Sequence, residues 1–123
     1  MPVKRPKKLS PGEEEFALQC RAMGVHMIRE HRFHPDRMWR ADFCNTSRMI
    51  IVEIDGGNRM ATIGRDGKAY AIGRHTQEDD YAKLNEAALL GYRIFRFTAK
   101  MVTSGYAITM MLQEFKKEAS NVP

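Results

Sequence analysis

The stretch that most constrains this chain is Ile50-Ile51-Val52-Glu53-Ile54-Asp55, closed by Gly56-Gly57. Its β-branched residues suit a strand, and its apolar density is that of a strand buried on both faces. Glu53 and Asp55 are two apart, so on a strand both carboxylates leave the same face. Carboxylates beside a core cost solvation energy unless a cation or another partner offsets it. Upstream of Glu53, a second strand-like segment, Trp39-Arg40-Ala41-Asp42-Phe43, holds another such acid. Three hard oxygen donors, Asp42, Glu53 and Asp55, gathered at a sheet edge suit Mg²⁺ or Mn²⁺. Metal ions held in this way serve phosphodiester hydrolysis.

At 123 residues the chain is expected to form one domain with a modest core. It has no run of about 18 apolar residues, as a membrane-spanning helix needs. Its basic N-terminus lacks the apolar stretch of a secretory signal. Cys20 and Cys44 are too few for a disulfide framework, so a reducing cytoplasm is the expected compartment. Net charge is +5, and Lys4, Arg5, Lys7 and Lys8 cluster at the N-terminus, leaving sixteen cations against fifteen anions. Residues 1–9 therefore read as a flexible basic arm that adds salt-sensitive affinity for a polyanion, or as a solvated terminus. Residues 10–123 form the expected single folded domain.

Ser10-Pro11-Gly12-Glu13 has the form of a capping box with proline at the first helical position. The helix is expected to end at Gly24 and to bury Phe16, Leu18 and Ala22. Strands are expected over 25–34, 37–44 and 49–55, with a turn at Asn45-Thr46-Ser47, in an antiparallel meander. Gly56-Gly57 breaks the third strand directly after the carboxylates. Residues 60–72 form a flexible excursion or small hairpin about Asp66-Gly67. Thr76 caps a helix over 77–90, which Gly91 closes. A strand over 92–97, a short helical turn from Thr98 and an amphipathic helix over 107–117 complete the order α-β-β-β-(hairpin)-α-β-α. The fold class is α/β (α+β), with a central mixed sheet flanked by helices.

Asp42, Glu53-Ile54-Asp55-Gly56-Gly57 and the block Leu89-Leu90-Gly91-Tyr92-Arg93-Ile94-Phe95-Arg96-Phe97 resemble the PD-(D/E)xK nuclease superfamily. The nearest branch is that of very-short-patch repair endonucleases and small phage-encoded endonucleases. Arg32-Phe33-His34-Pro35, Gly73-Arg74-His75-Thr76 and Lys83-Leu84-Asn85-Glu86-Ala87-Ala88-Leu89-Leu90-Gly91 are similar to segments of those phage proteins. The resemblance spans residues 13–115 and implies a restriction-endonuclease-like domain. It also implies a Mg²⁺- or Mn²⁺-dependent DNA endonuclease, in the bacterial host cytoplasm if phage-encoded. Structured or branched DNA would be its substrate, and pairing as a homodimer would let so small a nuclease cut both strands. The other reading is a non-catalytic nucleic-acid-binding protein on a nuclease-like fold.

One departure from the superfamily pattern matters. Asp55 stands where the motif has lysine, so positive charge near the attacking water must come from elsewhere. Lys83, on the following helix, is the candidate, its stem lying beside an apolar stripe of Tyr81, Leu84 and Ala88. The alternative is a surface lysine paired with Asp79. The resemblance also brings an acid from the first helix into the metal site. Glu15 fills that role here, with Glu13 and Glu14 as alternatives, and all three also favour the helix dipole.

His75 precedes a helix start and serves as general base, phosphate contact or ordinary turn residue. Arg74 and the helix N-terminus at Thr76 suit a phosphate. His26, His31 and His34, with the two cysteines, lack zinc-site spacing, so structural zinc is not expected. The nine methionines read as core filling.

Overall fold

A computed structural model describes residues 10–55, 62–63, 69–70 and 77–120. The first helix, α1 (Pro11–Met23), starts as its sequence dictates: the Ser10 hydroxyl accepts a 3.3 Å hydrogen bond from the Glu13 amide. It stops at Gly24, whose φ of 72° closes the helix in the left-handed region. Strands β1 (Ile28–Arg32), β2 (Arg40–Asn45) and β3 (Ile50–Asp55) follow, then a two-stranded hairpin of β4 (Thr62–Ile63) and β5 (Ala69–Tyr70). Helix α2 (Gln77–Leu89), strand β6 (Arg93–Thr98), the short α3 (Ala99–Thr103) and α4 (Tyr106–Ser120) complete the chain. The Asp66-Gly67 turn and the Thr76 cap lie outside the described residues.

The fold is mixed α+β. Its main sheet has the order β1-β2-β3-β6, antiparallel through β3 and parallel between β3 and β6. A parallel pair needs a long crossover, and the hairpin and α2 occupy it. Helices α1, α3 and α4 cover one face with Phe16, Val102 and Met111, against Phe43, Val52 and Phe97 from the sheet. On the other face Ala87 of α2 packs with Phe33, Cys44 and Ile51. Strand β3 feeds both cores, which is why it reads as a continuous apolar run. Phe16 meets Phe43 edge-on at 4.9 Å between ring centroids. Each cysteine sits in a different core as a free thiol. Burial pushes the Cys20 thiol up to about 12, which keeps it protonated and unreactive.

Several boundaries differ from the sequence reading, each for a local reason. β1 and β2 are shorter because residues 36 and 37 donate their amides to the His34 ring, which holds the connection out of the ladder. The turn after β2 lies one residue later than expected, since Asn45 stays in the strand and its side chain accepts from the Arg48 amide. On α1 the buried residues are Gly12, Glu13, Phe16, Ala17 and Cys20, whereas Leu18, at 54% exposure, and Ala22 face out. On α2 Ala87 is buried, while Tyr81 and Ala88 face out.

Gly12 sets how close α1 comes to the sheet. A methyl group there would lie 3.1 Å from the Ala99 Cβ and 3.2 Å from both the Ala99 Cα and the Ile54 side chain. Overpacking of this kind costs about 1–3 kcal/mol. Gly12→Val is therefore expected to lower stability by about that amount in denaturant titration, and an unchanged midpoint would contradict this packing.

Candidate functional site

β2 and β3 part company at the acids. Their antiparallel pairing runs from Asn45↔Ile50 to Phe43↔Val52. Beyond that, the Asp42 amide donates to Glu53 Oε2 at 2.7 Å, and the Ile54 amide donates to Asp42 Oδ2 at 2.9 Å. Each carboxylate thus satisfies a backbone group of the opposite strand, where a buried amide would otherwise lose its partner. The fork opens into a cleft of about 620 Å³ whose walls include Glu13, Glu30, Asp55, Lys83 and Arg96.

Three carboxylates, Glu13, Glu30 and Asp42, bring oxygens within 4.8 Å of one another. Glu13 is nearly buried, at 9% exposure. Burial, more than the neighbouring charges of Glu53 and Glu13, pushes the Asp42 carboxyl up to about 7, while the Ile54 amide and Lys83 pull it down. A hard divalent cation matches this donor set, because it offsets the repulsion and the lost hydration together. The residues present therefore fit Mg²⁺ or Mn²⁺ chemically.

Lys83 reaches Glu53, and both side chains are largely enclosed. That replaces the Asp79 pairing considered from sequence and puts an ammonium at the fork. Asp55 also faces the cleft but is engaged by Arg96, 3.3 Å from each of its oxygens. Glu15 accepts from Gln19 at 3.2 Å, and the first-helix acid that lines the cleft is Glu13. Asp42, Glu53, Asp55 and Lys83 are thus brought together, and Glu15 is not. His75, Arg74, Thr76, Lys4, Arg5, Lys7 and Lys8 lie outside the described residues.

Glu30 was not singled out from sequence. The pairs Arg29↔Phe43 and His31↔Ala41 put it directly across from Asp42, so the register of the first hairpin carried the signal. Its φ is 51°, a left-handed conformation that costs a non-glycine residue about 1–3 kcal/mol and that clusters at functional sites. Arg37 and Arg40 line the same cleft and add cations to its rim.

No protein-family model matches the chain, and no curated protein matches it. Among solved structures it is similar to the catalytic domain of the homing endonuclease I-Bth0305I, with a TM-score of 0.59. The two share 16% identity over 88% of this chain and 94% of that one. At that identity the likeness is one of fold. Among the described residues no helix is long and apolar enough to cross a membrane.

The raised Asp42 value has a thermodynamic consequence. Because the folded chain holds this proton more tightly than the unfolded one, the associated stability is full below about pH 4 and is lost as pH rises towards 7. In metal-free buffer the melting temperature should show that decline, and Asp42→Asn should flatten it. Millimolar Mg²⁺ or Mn²⁺ should restore wild-type stability at neutral pH and leave the variant unmoved. An equally steep decline in Asp42→Asn would remove Asp42 as its source.

Proposed function

We propose that this protein is a Mg²⁺- or Mn²⁺-dependent DNA endonuclease of the PD-(D/E)xK type. The observation that carries the reading is the fork itself, where Asp42, Glu53 and Lys83 meet beside Glu13 and Glu30. The fold's likeness to a homing endonuclease catalytic domain supports it. So does the sequence resemblance to small phage endonucleases, which also nominates branched DNA as a substrate to test.

Asp42, Glu13 and Glu30 would hold the cation. When bound, Mg²⁺ or Mn²⁺ acidifies a water for attack and neutralises charge on the phosphate. Glu53 acts from beside that group, fixing the β2 backbone through the Asp42 amide and holding the Lys83 ammonium at the cleft. Lys83 supplies the positive charge that the motif lysine would give, stabilising the phosphate oxygens as charge develops on them. Arg96, tied to Asp55, orients a flanking phosphate. His75 is the proposed proton acceptor. Arg74, Thr76 and the basic arm are proposed phosphate contacts.

Plasmid cleavage tests the reading. Nicking should require Mg²⁺ or Mn²⁺ and stop with EDTA, and Asp42→Ala or Glu53→Ala should each lower the rate by about 10²–10³. DNA bound but not cut would instead indicate a non-catalytic binding protein.

Lys83→Met should lower turnover by about tenfold or more with little change in DNA affinity. Lys116→Ala, on α4, is the control. Wild-type turnover in Lys83→Met would end the substitute-lysine assignment and leave His75 as the leading proton-handling group.

A further inference from the structure

The connection between β1 and β2 forms one wall of the cleft, and it is built around a single imidazole. His34 Nδ1 accepts the amides of Asp36 at 3.0 Å and Arg37 at 3.1 Å. A ring nitrogen that accepts two N–H groups carries no proton, so the proton sits on Nε2, which donates to Glu86 at 2.8 Å. The His34 side chain is 11% exposed, with the Trp39 ring edge-on at 5.5 Å. Outside this brace, Arg37 lies over Trp39 at 5.0 Å, and its carbonyl accepts from Arg32 Nε at 3.0 Å. Three exposed arginines, Arg32, Arg37 and Arg40, therefore crowd one short connection that has a single acid, Asp36. Arg32 and Arg40 are direct cross-strand partners, a like-charge pairing that is unfavourable without an anion.

The other end of the brace matters as much. Glu86 lies on α2 three residues after Lys83, on the same side of the helix. One histidine thus links the arginine-bearing connection to the helix that delivers the ammonium to Glu53.

We infer that residues 32–40 are a preformed lip that binds the DNA backbone through Arg37 and its neighbouring arginines. His34 is the positioning residue that shapes this lip and sets it against Lys83. The inference rests on the nuclease reading for its catalytic half and only on DNA binding for the other half.

Two conservative substitutions separate the halves. The amide of His34→Gln can take the place of Nε2 and keep the Glu86 contact, losing the acceptor for the loop. The amide of His34→Asn can take the place of Nδ1 and keep the loop, losing reach to Glu86. Affinity for a short fluorescent DNA duplex is read by anisotropy across a salt series, with steady-state cleavage and thermal melting alongside. Arg37→Ala should bind about tenfold more weakly, with the log-affinity against log-salt slope shallower by ~0.9, as for one lost phosphate contact. His34→Gln should follow it in both respects with kcat within about twofold. His34→Asn should bind within about threefold of wild type and lose about tenfold in kcat.

Wild-type affinity and salt slope in both Arg37→Ala and His34→Gln overturn the lip. Wild-type kcat in His34→Asn overturns the coupling to Lys83. If the wild-type chain binds DNA without cutting it, the nuclease reading and the coupling fail, while weaker, less salt-sensitive binding by Arg37→Ala still upholds the lip. A wild-type chain that binds no DNA overturns both.

Discussion

The exchange of hydrogen bonds between Asp42 and Glu53 is what the architecture around the cleft depends on. Two strands cannot diverge inside a protein without stranding amides, and here the carboxylates of the diverging segments take those amides. The same bonds fix two acids close together in a poorly hydrated place, which raises the proton affinity of Asp42. Strand separation, cleft and electrostatic tension are thus one feature. Lys83 relieves part of the tension from α2, Glu13 adds to it from α1, and Glu30 brings a further carboxylate oxygen close from β1.

Much of the frame was legible because it rests on local rules. Ser10 and Gly24 bound the first helix by capping chemistry that needs no tertiary context. Strand β3 announces itself because burial on both faces demands an uninterrupted apolar run. The sequence reading went no further than a mixed sheet; the parallel pairing of β3 with β6 joins segments about forty residues apart and is set by tertiary packing. Helix faces were less legible. Leu18 was expected inward and Ala17 proved to be the buried neighbour, since periodicity alone does not fix the phase of a short helix with few apolar residues.

In the candidate site, Asp42 and Glu53 were readable as acids misplaced in apolar strands, and Lys83 as the cation opposite them. The choice among Glu13, Glu14 and Glu15 was not readable, because it depends on how closely Gly12 lets the helix approach Ala99 and Ile54. Glu30 was hidden for a different reason. Its nearness to Asp42 is a matter of strand register, and its backbone conformation is one that no residue preference would nominate for glutamate.

That left-handed glutamate has a second effect, unrelated to any ligand. β1 is an outer strand of the sheet, where a straight row of amides and carbonyls would invite another chain to dock in β fashion. A strand of five residues whose middle one twists out of the extended conformation presents no such row. Arg29 and Arg32 beside it make the border charged as well. The backbone distortion that carries an acid to the cleft therefore also guards this border of the sheet against self-association into aggregates.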